Sequence, residues 1–131
     1  GDHLDLHSFP TDALPIFQVL TSPDEAETTV LYYDVASRAL VFDSTNSSLS
    51  DIGRPAIEKA PFTLKDRDAP LKFRVFIDKC VVEVYLNDTQ AITRRVFPTL
   101  DQSRRIALFC EGDGVHVERL TAWEMMSSNP Y

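Results

Sequence analysis

The sequence predicts an all-β domain, a two-sheet antiparallel sandwich of about nine or ten strands. Three observations carry this. Apolar and polar residues alternate with a period of two along most of the chain. The alternating runs are short, β-branched or aromatic, and turn residues separate them at regular spacing. The 4 Gly and 8 Pro fall between these runs rather than inside them.

In chain order, HLDLHSF, PIFQVL, TTVLYYD and ALVFDST read as four strands bounded by Pro, Asp or Ser. Ser44 to Ala60 then reads as one irregular segment, with room for at most a helical turn at Ile57-Glu58-Lys59-Ala60. Irregular runs of that length usually dock against something or act. LKFRVFID is the clearest strand: Leu71, Phe73, Val75 and Ile77 share one face, Lys72, Arg74 and Asp78 the other. In VVEVYLND, Val82, Val84 and Leu86 lie opposite Glu83 and Tyr85. A two-residue turn at Lys79-Cys80 pairs Ile77 with Val82, Val75 with Val84 and Phe73 with Leu86. A one-residue slip puts one row into water, whereas a two-residue slip keeps the faces, so the turn stays open.

Asn87-Asp88 marks a second turn, because both residue types tolerate positive φ. It leads into AITRRVF, ended by Pro98. In RRIALFC, Ile106 to Cys110 are apolar without a break, the pattern of a strand covered on both sides. Glu111-Gly112-Asp113-Gly114 is a turn, and VHVERLTAWEM closes the chain. Its apolar face switches between Val117 and Leu120, which predicts a β-bulge around Glu118 and Arg119. There is no internal repeat and no low-complexity tract.

A length of 131 residues fits one domain spanning the whole chain, large enough to fold without staples. Thirteen Lys and Arg against twenty Asp and Glu give 13 − 20 = −7. That balance, without a basic stripe, excludes phosphate backbones and anionic membranes as expected partners. No apolar run approaches the ~20 residues of a membrane helix. GDHLDLHSF has neither the basic nor the apolar region of a signal peptide, so a mature product or an excised piece is expected. Cys80 and Cys110 form no disulfide framework or metal motif, and free thiols are expected.

The chemistry-bearing residues are sparse. His3, His7 and His116 lack ligand spacing, and His3 and His7 read as solvated residues of an edge strand. No nucleophile elbow, phosphate loop or Cys-x-x-Cys occurs, so no metal or cofactor is implied. Glu83 is the best single carboxylate, and Arg74 on the neighbouring strand is expected to pair with it on the outer face, directly opposite or diagonally according to register. Asp43 and Asp78 end strands and read as turn-formers; Glu111 and Asp113 read as solvated. Arg94-Arg95 and Arg104-Arg105 are dispersed and read as solvated or salt-bridged. Trp123, Tyr85, Tyr32 and Tyr33 suit either a sugar-stacking platform or packing, and packing is the commoner use. Tyr85, Trp123, Glu83 and Arg74 are thus the candidate carbohydrate-binding residues. Phe76, Val81 and Tyr85 make the outer row of the central hairpin unusually apolar, which marks them as domain-interface candidates. Asn46-Ser47-Ser48 and Asn87-Asp88-Thr89 match the glycosylation sequon.

The second half resembles a specific family. LKFRVFIDKCVVEVYLNDTQAITRRVFP is similar to the C-terminal β-sandwich module of glycoside hydrolase family 32, the invertases, inulinases and levanases. Ile77-Asp78-Lys79-Cys80 stands for its Val/Ile-Asp-Arg-Ser, and Val82-Glu83-Val84-Tyr85 for its Val-Glu-Val-Phe strand. Asn87-Asp88-Thr89 stands for its Asn-Asp-Gly turn, and Thr93-Arg94-Arg95-Val96-Phe97-Pro98 for its Thr-x-Arg-Val-Tyr-Pro strand. Leu40-Val41-Phe42-Asp43-Ser44 and Leu120-Thr121-Ala122-Trp123-Glu124-Met125 resemble its earlier and closing strands. The likeness covers residues 29–126, with Cys80 and Thr89 as departures.

The family's catalytic signatures, a Trp-Met-Asn-Asp-Pro-Asn-Gly stretch, Arg-Asp-Pro and Glu-Cys, do not occur. Arg67-Asp68-Ala69-Pro70 is interrupted by Ala, and Cys110-Glu111 has the reverse order. The resemblance implies a concanavalin-like sandwich that is the accessory module of a fructan- or sucrose-cleaving enzyme. It would pack against a catalytic five-bladed propeller of the same polypeptide, outside the cell or in the periplasm, with a dimer contact as a further option. The alternative is a carbohydrate-binding module with its own sugar site. A free-standing lectin-like protein ranks third and an independent enzyme last.

Overall fold

The computed structural model describes residues 2–9, 15–65, 69–110 and 116–124. Ten strands run in chain order: β1 (Asp2–Phe9), β2 (Pro15–Thr21), β3 (Thr29–Asp34), β4 (Ala39–Asp43), β5 (Ile57–Pro61), β6 (Leu71–Asp78), β7 (Val81–Leu86), β8 (Gln90–Arg95), β9 (Arg105–Cys110) and β10 (His116–Glu124). They form two five-stranded sheets, ordered β10-β1-β6-β7-β8 and β5-β4-β3-β2-β9, with every neighbouring pair antiparallel. The sandwich read from the sequence is the fold.

The period-two pattern explains the core. Leu71, Phe73, Val75 and Ile77 of β6 and Val82, Val84 and Leu86 of β7 are buried, as are Phe17, Val19, Leu31, Leu40 and Phe42 of the facing sheet. Phe17 meets Phe73 across the layers at 5.5 Å between ring centroids. Each such side chain stabilises the fold by about 1.5–3 kcal/mol, so these two inner faces supply most of the driving force. The central hairpin has the expected register: Ile77 opposes Val82, Val75 opposes Val84 and Phe73 opposes Leu86. The structure therefore closes the question left by a two-residue slip.

Asn87 and Asp88 both take left-handed backbone, with φ of 50° and 54°, as the central pair of the tight turn closed by the Thr89 N–H on the Leu86 carbonyl. The Asn87 side chain accepts from the Lys72 backbone N–H at 2.7 Å and donates to the Pro70 carbonyl at 3.2 Å. This sequon amide thus ties the turn to the start of β6. In β10 the register steps between His7 opposite Arg119 and Ser8 opposite Val117, leaving Glu118 as the extra residue. The predicted bulge is there.

Four expectations need correction. Ile57–Pro61 is neither irregular nor helical; it is edge strand β5, paired from Asp43 opposite Ile57 to Ala39 opposite Pro61. Glu, Lys and Ala favour helix locally, but the open edge of β4 offers a full ladder and tertiary pairing wins. The irregular segment is accordingly 44–56. The unbroken apolar run of β9 is not covered on both faces, since Phe109 is 41 % exposed; among the described residues β9 is the strand at one end of its sheet, paired to β2. Its outward residues instead extend an apolar outer face. β1 is an interior strand between β10 and β6, so His3 and His7 are not edge residues, and His3 is only partly exposed. Finally, Arg74 opposes Tyr85 and stands diagonal to Glu83, but its ion pairs go to Asp5 and Asp88 instead.

The Glu111–Gly114 turn, Arg67 and Asp68, and the side chains of Cys110 and His116 lie outside the described residues. Cys80 is a free, half-buried thiol.

Candidate binding faces and the family of the chain

Alternation that buries one side of each sheet turns the other residues outward. On the outer face of the first sheet, one row runs Trp123, His3, Phe76, Glu83, Thr93 across five strands. The next row runs Thr121, Asp5, Arg74, Tyr85, Ala91. The His3 ring lies between Phe76 at 4.2 Å and Trp123 at 4.6 Å, with interplanar angles of 17° and 29°. Tyr85 meets the Phe76 ring edge-on at 6.0 Å. Four aromatic rings from four strands thus make one continuous surface, with Trp123 46 % exposed at its end.

Polar groups flank this surface. His3 Nε2 lies 2.8 Å from Asp5 Oδ1, and Arg74 Nε donates to the same oxygen at 3.3 Å. Arg74 also lies 3.7 Å from Asp88, whose other oxygen accepts from Lys72 Nζ at 2.8 Å. The Lys72 hydrogen bond holds the Asp88 carboxyl below its usual range, assisted by the charges of Lys72 and Arg74. The Tyr85 hydroxyl donates to Glu83, which raises its pKa because loss of that proton would abandon the bond beside a carboxylate. Arg74, Phe76, Glu83, Tyr85 and Asp88 line an open depression of about 570 Å³, within the usual range for small-molecule sites.

The structure therefore gathers three of the four candidate saccharide residues, Arg74, Glu83 and Tyr85, around one depression. Trp123 stands on the same face, connected through His3 and Phe76. Of the interface candidates, Phe76 and Tyr85 are half-buried members of this surface, and Val81 lies beyond it, opposite Asp78 and Arg95. Tyr32 and Tyr33 belong elsewhere. Tyr33 is buried, donating its hydroxyl to the Phe62 carbonyl at 2.9 Å. Tyr32 faces outward on the other sheet, its pKa raised by burial and by Asp34 and Asp43. Among the described residues, no three His, Cys, Asp or Glu side chains converge to hold a metal ion.

The outer face of the second sheet has a different character. One row reads Phe109, Ile16, Tyr32, Val41, Lys59 and the next Ala107, Gln18, Val30, Asp43, Ile57. Beside it, the 44–56 loop carries Leu49 and Ile52, each more than half exposed, and runs straight into Ile57 of β5.

That loop is anchored by a residue the sequence reading passed over. Glu27, with no exposed surface, accepts from the Leu49 N–H at 2.7 Å, the Leu100 N–H at 2.9 Å and the Ser103 hydroxyl at 2.8 Å. Both the N–H and the hydroxyl of Thr99 also donate to it, at 2.8 Å and 3.0 Å. Burial pushes its pKa up, but the backbone donors of Thr99, Leu100 and Leu49 and the Ser103 hydroxyl outweigh it and hold Glu27 at about 2. One carboxylate thus ties the β2–β3 turn to the β4–β5 and β8–β9 connections. In the sequence, Glu27 looks like the last acidic residue of an exposed turn, and no local pattern marks its donors.

The family model for the C-terminal region of glycosyl hydrolases family 32 matches residues 13–124. The chain belongs to this family. Its domain is a non-catalytic part of glycoside hydrolases.

Solved structures agree at the level of fold. A fructosyltransferase from A. japonicus superposes with a TM-score of 0.82 at 24 % identity, covering 96 % of this chain and 22 % of that one. An Aspergillus kawachii β-fructofuranosidase gives 0.79 at 23 % identity, covering 99 % and 25 %. A Caenorhabditis elegans galectin, LEC-6, gives 0.66 at 17 % identity, covering 95 % and 83 %. No curated protein sequence matches the chain. This family 32 C-terminal domain thus spans about a quarter or less of the two enzymes it superposes on.

Proposed function

We propose that this domain is the accessory module of a fructan- or sucrose-cleaving enzyme of the β-fructofuranosidase type. It packs against a catalytic five-bladed propeller in the same polypeptide. The family match over 13–124 carries this reading. The docking surface we assign is the outer face of the second sheet, with Ile16, Val30, Tyr32 and Phe109, flanked by Leu49, Ile52 and Ile57. An apolar outer face of this kind marks an interaction site, because a solvated sheet alternates apolar-in with polar-out. Phe76 and Tyr85, the first candidates for docking, sit among more charged neighbours and suit a wetter contact. The module contributes stability to its partner; bond cleavage belongs to a pair of carboxylates on the propeller.

The test has two parts. The coding sequence upstream of Gly1 is read, and a propeller bearing two facing carboxylates is the expected result. An unrelated upstream domain, or none, defeats the reading. The longer protein is then compared with an Ile16→Asp, Val30→Asp variant. Loss of cooperative unfolding between the two domains, with the 131-residue chain still folded, supports docking by this face. Unchanged co-unfolding moves the interface elsewhere, and sedimentation shows whether a second copy of the chain occupies it.

A further inference from the structure

We infer that Asn46 is the acceptor for an N-linked oligosaccharide when the chain is exported along a glycosylating route. The second sequon, at Asn87, is closed to the same modification by the turn it builds. Asn46 belongs to neither row of the apolar outer face, so the inference is independent of which surface docks a catalytic domain.

The reaction itself does not separate the two sites. The donor is an oligosaccharide joined through its anomeric carbon to a lipid diphosphate. The bond from that carbon to the phosphate oxygen breaks and a bond to the asparagine Nδ2 forms. Nδ2 gives up one proton, and the lipid diphosphate leaves. The hydroxyl two residues on comes from Ser48 for Asn46 and from Thr89 for Asn87. What separates them is the product, a secondary amide in the trans form. The sugar takes the Nδ2 position on the same side as Oδ1, and the remaining hydrogen lies on the other side. The fold decides whether each asparagine can carry a bulky polar group at that position.

Asn46 can. It is exposed on the connection between β4 and β5. Main-chain bonds fix the backbone around it: its carbonyl accepts from the Thr28 N–H at 2.8 Å, and the Ser47 N–H donates to the Ser44 carbonyl at 3.0 Å. Just before it, Asp43 Oδ1 accepts from the N–H and the hydroxyl of Thr45, at 2.9 Å and 2.6 Å. Among the described residues the Asn46 side-chain amide makes no hydrogen bond, so a sugar on it displaces none of these contacts.

Asn87 cannot. Its Oδ1 accepts from the Lys72 N–H at 2.7 Å while its Nδ2 donates to the Pro70 carbonyl at 3.2 Å. Those two backbone groups flank Leu71, the first residue of β6, and the amide meets both along one edge. The hydrogen it donates is therefore the one beside Oδ1, which is the position the sugar would take. A glycan there removes that bond and sets its first ring against the start of β6. Asn87 is also half-buried, and its left-handed backbone is fixed by the turn.

The full 131-residue chain is expressed behind a cleavable export signal in a glycosylating yeast. Both sites are then read by peptide mass spectrometry, in the secreted and the retained protein, before and after enzymatic deglycosylation. The expected result is a glycan on Asn46 in most molecules of both fractions and a bare Asn87 in the secreted, folded chain. Asn46→Gln should abolish the mass shift and leave Tm within about 1 °C. Asn87→Gln, which misplaces the amide without any sugar, should lower Tm by roughly 3–6 °C. A bare Asn46 in both fractions overturns the inference, as does Asn87 occupied as fully as Asn46 in the secreted chain. An unchanged Tm in Asn87→Gln overturns the reason given for closing that site. If no chain is secreted, Asn46 in the retained protein still decides the first point.

Discussion

The two outer faces of the sandwich come from the same pleat, yet they carry opposite surfaces. The first sheet presents an aromatic row bordered by Asp5, Lys72, Arg74, Glu83 and Asp88. The second presents Ile16, Val30, Tyr32 and Phe109 around the buried Val41, with Asp34, Asp43 and Lys59 among its charges. Folding alone requires only the inner faces to be apolar, and both inner faces are. Outer-face composition is therefore free to record what each face meets. Charged groups around ordered rings suit a wetter contact, whereas contiguous aliphatic surface suits a packed protein partner.

The largest expected effect tests the frame beside the apolar face. Replacing Glu27 with Gln removes a buried carboxylate from five donated hydrogen bonds, and we expect a loss of about 3 kcal/mol. In thermal unfolding this reads as a Tm lower by roughly 10 °C. The same residue sets a pH dependence. Its folded pKa of about 2 lies below the ordinary 4.5, so its stabilisation is complete above about 4.5 and is lost as the pH falls towards 2. Denaturant midpoints measured from pH 5 to pH 2 should fall in the wild type more than in Glu27→Gln. Parallel curves would show that the carboxylate is not the anchor.

Next comes the apolar face itself. Tyr32→Asp should leave the isolated chain within about 1 kcal/mol of wild type, because the side chain points away from the core. In the longer protein it should weaken domain association by about 2 kcal/mol, the scale of a central interface residue. Equal effects in both proteins would erase the distinction between the faces.

A smaller effect is expected at Gly53 in the 44–56 loop. Its φ is +86°, and an added Cβ would stand 2.5 Å from the Phe97 ring. Gly53→Ala should cost about 1–2 kcal/mol in chemical denaturation. A neutral result would mean the loop shifts freely and Glu27 alone holds it.

The smallest effect belongs to the polar face. Arg74→Gln removes ion pairs to Asp5 and Asp88 from a side chain that is 41 % exposed, and stability should change by less than about 0.5 kcal/mol. A drop of several °C would recast this face as structural.

Much of the fold was legible in the sequence, because the period of a strand is local. The alternation in LKFRVFID and VVEVYL assigned every side chain of the central hairpin to a face. Asn87-Asp88 located the turn between β7 and β8, and the change of phase after Val117 located the bulge. The family resemblance rested on the same hairpin. Local pattern is silent, however, on which strands become neighbours. Whether β1 lies at an edge or between β10 and β6 depends on pairings more than sixty residues apart, and that decided whether His3 is solvated or held between rings. The same blindness made β5 look irregular and β9 look doubly covered. It paired Arg74 with Glu83, when the nearest carboxylates come from β1 and the turn after β7. Glu27 is the extreme case. Its type and position in an acidic turn describe a solvated residue, and only the convergence of Leu49, Thr99, Leu100 and Ser103 makes it a buried anchor. Sequence by itself determined the strands and their inner faces, since burial follows from spacing along one chain. Tertiary structure alone decided the sites, since each is a meeting of side chains from separate strands or loops.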